Sequence, residues 1–359
     1  MYIIHSVRND YSIYPLMQDK TINPEAFILL NYQEWQYNSI GTNPSFEEIV
    51  DYVNDKNIPL YIVNGSVSEK NLIDTNNNRY NNVYFNRFPQ YIFWHTYKSL
   101  YDNKNYRKYF DKNYYEQPTG FERLFVCLNN KPHPHRCMQM DLLVKHNLLD
   151  YGAVSWNSWF LDEGRVLNES YNYKWQYWTP QILALDNMIE GNLGWGGQLP
   201  IEYNTSFIHL VTESTTQAVF HTEKVAFPLL LTKLFLVSGP KHYYKALVDW
   251  GFKLYDELFD YSFDDIDDDQ TRFEMVAQNL TKFKTLSNAY MLHLHNTLLD
   301  KLLYNKQQFL KICTDINLMP KLLSDLFENN HVNAQDNEIG KLRNWYYEYK
   351  NFNNPPNNN

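Results

Sequence analysis

The sequence predicts an α/β protein built on parallel sheets, in two domains followed by a helical carboxyl-terminal region. Three observations predict it. Short apolar runs alternate with amphipathic stretches through the first third of the chain, which is the rhythm of a parallel sheet. The alternation restarts at RLFVCL (residues 123 to 128) after NKNYRKYFDKNYYEQPTG interrupts it. A length of 359 residues is enough for two cores of ordinary size.

Taken in order, AFILL (26 to 30) reads as a strand, SFEEIVDYVNDKN as a helix capped by Ser45, and PLYIV (59 to 63) as a second strand. VSEKNLIDTNNNRYNN is polar and asparagine-rich, hence a loop, and VYFNRFPQYIFWHTYKSLY supplies an aromatic strand and a helix. The domain boundary is placed near residue 118, giving an amino-terminal domain over 1–118. The second series runs from the buried-strand pattern RLFVCL through NNKPHPHR into the periodic helix MQMDLLVKHNLLD, with AVSWNSW as the next strand. YNYKWQYWTPQILALDNMIEGNLGWGGQLPIEYN fits an irregular excursion between core elements. SFIHLVTES (206 to 214) is a strand, EKVAFPLLLTK a helix, LFLVSGP a strand and turn, and KHYYKALVDWGFK a helix ended by Gly251. From FDDIDDD onward the chain reads as helical nearly throughout. The second domain covers 119–315, a helical segment 316–350, and the Asn/Pro tail 351–359 is expected to be disordered.

The net charge of -9 argues against nonspecific binding to nucleic acid or to an anionic membrane, which both require the opposite sign, so nucleic acid is not an expected partner. Three scattered cysteines without paired zinc-ligand spacing suit a reduced compartment, and a cytoplasmic location is the expectation. The start, MYIIHSVRNDYSIYP, lacks the pattern of a signal peptide, and the longest apolar run, Val225 to Val237, is interrupted by Lys233 and too short to span a bilayer. Aromatic residues make up 17% of the chain, with thirty tyrosines, whose apolar face and polar tip suit sugar clefts and half-buried surfaces alike.

Open α/β sheets bind ligands at the carboxyl ends of their strands, where loops meet helix amino termini. Asn129-Asn130 and Arg136 follow the first strand of the second series, Thr212-Glu213-Ser214 follows SFIHLV, and Thr222-Glu223-Lys224 precedes VAFPLLL. Arg136 and Lys224 near helix starts are oddly placed cations, because the helix dipole disfavours positive charge there. A phosphate resolves the oddity: it gains from the N–H groups and dipole, while an arginine fork and a lysine neutralise its remaining charge. Glu223 beside such a site is suited to accept hydrogen bonds from sugar hydroxyls. The bland alternative is a Thr222-capped helix with an ordinary surface Glu-Lys pair, and spacing by itself leaves that open. His133-Pro-His135 has no third ligand nearby, FDDIDDD lacks the glycine and terminal glutamate of a calcium loop, and there is no Gly-rich phosphate loop or nucleophile elbow.

NTSFIHLVTESTTQAVFHTEKVAFPLLLTKLFLVSGP resembles the donor-binding segment of α1,3-fucosyltransferases. In that family a strand and a "FEN"-like triplet precede "TEK", an apolar helix and a strand ending in "GP". FVCLNNKPHPHRCMQMDLL is similar to the family's "SN" strand end followed by an arginine and a helix. With WGFKLYDE (250 to 257) the sequence is more similar still to glycosyltransferase-like proteins of bacteriophages and other large viruses. The resemblance covers roughly residues 121 to 265. It implies two Rossmann-like domains facing across a cleft, a GT-B type fold, with donor in the second domain and acceptor in the first. It implies a metal-independent, inverting glycosyltransferase with no permanently bound cofactor. The donor would be a nucleotide sugar such as GDP-fucose, and the acceptor a hydroxyl of a glycan or another molecule. By the same resemblance Arg136 and Lys224 hold the diphosphate, Glu223 the ribose, and Asn129 and Glu213 line the donor pocket. The family's general base sits in a "GEN"-like turn, but the comparable turn here is Val63-Asn64-Gly65-Ser66. Glu69 and Glu34 are the weak substitutes, and the missing acid keeps open a noncatalytic viral binding or structural protein that retains the fold.

Overall fold

The computed structural model describes residues 2–6, 17–18, 25–31, 46–64, 82–88, 91–102, 104, 106–129, 132–156, 173–179, 181, 183, 185, 200–216, 219–329 and 337–353. Contacts divide the chain into two compact units, Met1–Ile92 with Ile312–Asn359, and Phe93–Lys311.

The first unit holds a four-stranded parallel sheet, β1 (Tyr2–Ser6), β2 (Ala26–Asn31), β3 (Leu60–Asn64) and β4 (Val83–Arg87), hydrogen-bonded in that order. Helix α1 (Phe46–Asp55) joins β2 to β3 and buries Ile49, Val50 and Val53, spaced to fall on one face. Those side chains meet a sheet whose Phe27, Ile28, Leu60 and Ile62 have no exposed surface. Each such side chain contributes about 1.5–3 kcal/mol relative to an exposed one. β1 is a strand that the sequence reading did not anticipate. Of the polar loop expected over 67–82, residues 67–81 lie outside the described residues.

The second unit carries α2 (Tyr91–Asp102), which the division cuts after Ile92. Packing accounts for where the division falls: Phe93 sets its ring edge-on to Trp250, Phe252 and Phe309, all in the second unit. A 3-10 turn at Arg107–Phe110 leads to β5 (Arg123–Asn129), then α3 (Pro134–Lys145) and β6 (Gly152–Trp156). Next come the short α4 (Glu202–Thr205), β7 (Ser206–Thr212), α5 (Glu223–Leu230), β8 (Leu234–Ser238) and α6 (Tyr243–Asp249). Every residue of β7 and β8 is buried, as a parallel sheet covered on both faces requires. Gly152 permits a close approach, since a Cβ there would lie 2.4 Å from the Phe125 ring. Gly251 sits at φ +83° just past α6, where a side chain would be strained.

The stretch from residue 262 breaks into a 3-10 turn (Ser262–Asp265), α7 (Asp269–Thr281), α8 (Asn288–Thr297) and α9 (Leu299–Thr314). Asp268 and Ser287 cap α7 and α8 by accepting from Thr271 N and Tyr290 N. The division cuts α9 after Lys311, so α10 (Lys321–Glu328) and α11 (Asn337–Asn353) belong with the first sheet, α11 running beside β1. α11 continues through Asn353, inside the tail expected to be disordered, and residues 354–359 lie outside the described set. Among the described residues no helix is long and apolar enough to cross a membrane.

The second unit is braced by buried imidazoles. His209 in β7 donates through Nε2 to the Tyr203 carbonyl at 2.7 Å, and His221 to the Tyr243 carbonyl at 3.1 Å. Burial pushes both down from 6.5 to about 3, with Lys233 adding to the effect on His209. An unfolded chain takes up these protons as pH falls through 6.5, whereas the folded chain does not until about 3, so their stability is present at neutral pH and lost as pH falls through that window. Each imidazole that titrates only on unfolding contributes a slope of about 1.4 kcal/mol per pH unit. Chemical denaturation at pH 7 and 4.5 is expected to show a marked loss of stability at the lower pH. A smaller loss is expected in His209→Gln. Equal stability at both values would contradict neutral, buried histidines.

Candidate functional site

The order of the second sheet, β6-β5-β7-β8, changes direction once. From β5 the chain passes through α3 to β6 on one side, and from β7 through α5 to β8 on the other. Right-handed crossovers in opposite directions put α3 and α5 on opposite faces, and both start at the gap between the carboxyl ends of β5 and β7. Such a gap is where open α/β sheets take their ligands. Two helix amino termini, with the positive ends of their dipoles, begin there.

The five residues singled out as donor-binding are all at this gap. Asn129 ends β5, Arg136 lies in the first turn of α3, Glu213 follows β7, and Glu223 and Lys224 open α5. Arg136 is near enough for its charge to act on Glu223, and Lys224 near enough to act on His135. Glu34 and Glu69 lie outside the described residues.

Exposure separates their roles. The Lys224 and Glu223 side chains keep 25% and 32% of their surface, whereas Arg136 keeps 6%, Asn129 1% and Glu213 none. Lys224 Nζ donates to Ser214 Oγ at 2.7 Å, to Glu223 Oε1 at 3.1 Å and to Thr222 Oγ1 at 3.3 Å. Burial works to raise the Glu223 carboxyl, but Lys224, the residue's own N–H and Arg136 outweigh it and hold the group below the usual carboxylate range. Glu223 is therefore an anion at neutral pH, able to accept hydrogen bonds.

Glu213 is enclosed. Its Oε1 accepts from Tyr243 Oη at 2.6 Å and Thr222 N at 3.2 Å, and its Oε2 from Thr222 Oγ1 at 2.5 Å and Ser214 N at 3.2 Å. Burial raises its carboxyl above the usual range, against Lys224, Thr222 and Tyr243, which favour the ionised form. With no exposed surface and four protein donors, this carboxylate fixes neighbouring groups in place. Thr222 in turn caps α5, accepting from Lys224 N at 3.3 Å.

His135, in the His133-Pro-His135 pair that has no third ligand nearby in the sequence, crosses the gap. Its Nε2 donates to the Glu213 carbonyl at 2.7 Å, tying the first turn of α3 to the end of β7. Burial, then Arg136, lower it from 6.5 to about 3, so it is the neutral imidazole that makes this bond. Asn129 donates from Nδ2 to Cys127 Sγ at 3.2 Å and from its backbone to Ser155 Oγ at 3.1 Å. Behind α3, Asp141 accepts from three successive N–H groups, those of Gln176, Tyr177 and Trp178, at 2.8 to 2.9 Å. That bond set holds the described part of the aromatic excursion against the helix, where Trp156, Trp175 and Trp178 pack edge to face. The aspartates of FDDIDDD cap helices: Asp264 accepts from Tyr244 N and Lys245 N at the start of α6, and Asp268 caps α7.

No family model and no curated protein matches the chain. A solved structure that matches is that of the DNA-modifying enzyme beta-glucosyltransferase, determined in the presence and absence of its substrate uridine diphosphoglucose. The match covers 87% of this chain and 99% of that one at 10% identity and a TM-score of 0.36, a likeness too slight to bear on what this chain does.

Because Thr222 caps α5 and also meets Glu213, Thr222→Ala removes the cap and leaves a buried carboxylate short of a donor. Loss of an N-cap costs about 0.5–2 kcal/mol. Equilibrium unfolding of the variant is expected to show a loss at the upper end of that range, and a loss near zero would mean the two bonds do not hold the start of α5.

Proposed function

We propose that the chain is a glycosyltransferase that moves a sugar from a nucleotide-diphosphate sugar to a hydroxyl acceptor. The observation that carries this reading is the gathering of Arg136, Lys224 and Glu223 at the switch point of the second sheet, where two helices begin. The diphosphate lies between the two helix starts, meeting the Lys224 ammonium on one side and the Arg136 guanidinium on the other. Glu223, anionic and part-exposed, accepts from the ribose hydroxyls.

Transfer then proceeds by inversion. A base takes the proton of the acceptor hydroxyl as its oxygen attacks the anomeric carbon from the face opposite the leaving group. The bond to the diphosphate breaks with its electron pair on the leaving oxygen, where Arg136 and Lys224 stabilise the growing charge. Glu69 or Glu34 would serve as the base. GDP-fucose is the first donor to test, on the strength of the resemblance to α1,3-fucosyltransferases.

A thermal-shift panel of nucleotides and nucleotide sugars, with and without a divalent metal, tests the reading. A nucleoside diphosphate present at about 100 times its Kd stabilises the folded state by about 2.7 kcal/mol. The shift is expected with GDP or GDP-fucose in the absence of metal, and it is expected to vanish in Lys224→Ala and Arg136→Ala. No shift with any nucleotide near millimolar concentration would sink the assignment.

A further inference from the structure

We propose that Glu213 aims Lys224: it is a positioning residue that sets the direction of the hydroxyl and the serine that hold the ammonium. The mechanism lies in proton direction. Thr222 has one hydroxyl proton, and Glu213 Oε2 takes it at 2.5 Å. The remaining lone pairs of Thr222 Oγ1 can then only accept, and they receive Lys224 N and Lys224 Nζ, each at 3.3 Å. The same Oε2 accepts from Ser214 N at 3.2 Å, fixing the residue whose Oγ receives Lys224 Nζ at 2.7 Å. Two of the three acceptors around the ammonium therefore depend on a carboxylate that does not touch it.

Tyr243 Oη and Thr222 N supply the other two donors to Glu213, so the carboxylate stays put between β7, α5 and α6. A glutamine at this position would reverse the arrangement. Its amide N–H groups would face Ser214 N–H and Thr222 O–H, and a donating amide would turn the Thr222 proton toward the ammonium. The charge on Glu213, more than its shape, is what orients Lys224. Only the target of the aimed ammonium rests on the nucleotide reading; the aiming itself does not.

The test is residue-specific labelling of the full-length protein with a trace of an amine-acetylating reagent, read by mass spectrometry as the rate at Lys224 relative to exposed Lys245. Losing hydrogen bonds to a charged group is worth about tenfold in equilibrium, so Glu213→Gln is expected to raise the relative rate at Lys224 about tenfold. Glu213→Asp, which keeps the charge, is expected to fall between. Ser214→Ala removes the acceptor at 2.7 Å without touching the carboxylate and is expected to raise the rate as well. A folded Glu213→Gln that labels Lys224 at the wild-type rate overturns the proposal. Should that variant fail to fold, a wild-type rate in Ser214→Ala overturns it instead. The labelling uses no nucleotide, so a wild type that binds no nucleotide would sink the donor assignment and leave this result standing.

Discussion

A carboxylate with no exposed surface must find donors on every side or become neutral, and the second unit is arranged around meeting that demand at Glu213. Four donors from three residues satisfy it: its neighbour Ser214, the backbone and side chain of Thr222, and Tyr243 from α6. Each bond has a second effect. Holding Thr222 sets the first turn of α5; holding Tyr243 seats α6; holding Ser214 fixes the loop after β7. The Glu213 backbone extends the set, its N–H reaching Ser238 in β8 at 3.1 Å and its carbonyl receiving His135 from α3 at 2.7 Å. One residue thus ties together the ends of two strands and the starts of three helices.

The same economy of polar groups recurs elsewhere in this unit, in two complementary forms. Where a backbone carbonyl would be stranded, a neutral imidazole donates to it, as His135, His209 and His221 do. Where backbone N–H groups would be stranded, a carboxylate collects them, as Asp141 does for residues 176 to 178 and Asp264 for the first turn of α6. Buried Arg272 performs the imidazole's task at β8, donating to the carbonyls of Gly239, Ile266 and Asp267. Irregular backbone can pass close to the sheet because these groups meet it. The described residues that follow β7 and β8, Glu213, Ser214 and Gly239 among them, are consequently held in place, which is what a binding site at those ends requires.

The strands of the second sheet are legible because a fully buried parallel strand is mostly apolar along its length, as in LFVCL, FIHLV and LFLV. β1 was not, since YIIHS is short and pairs with a strand twenty residues later, leaving no local turn to announce it. The interruption in sequence pattern near 118 and the change in packing partner after Ile92 are different signals, and only the first is local. The helices after residue 311 join the first sheet for a reason that no local pattern carries. At the site, Arg136 and Lys224 can be singled out because cations at helix starts are anomalous, and Glu223 because it adjoins them. The enclosure of Glu213 could not be, since its decisive donor, Tyr243, comes thirty residues on and looks like any other tyrosine. His135 is equally silent in the sequence: its acceptor is a backbone carbonyl, and no side-chain motif signals one.

The charges at the switch point nearly cancel, with Arg136 and Lys224 against Glu213 and Glu223, and that balance constrains what can bind. Glu213 is committed to protein donors, so the adjustable partner is Glu223, paired with Lys224 at 3.1 Å and part-exposed. An anion arriving alone gains the two helix starts and the cations, but it also meets the Glu223 carboxylate at close range, where like charges cost most when water is scarce. A ligand that brings hydroxyl donors beside its anionic oxygens avoids that cost, because the hydroxyls occupy Glu223 while the oxygens draw Lys224 away from it. The ion pair is then replaced on both sides by ligand contacts, and neither charge is left unmet. On the proposed donor reading, a Glu-Lys pair placed at the start of α5 discriminates by composition: it rewards ligands that combine a diol with phosphate and resists those with phosphate alone.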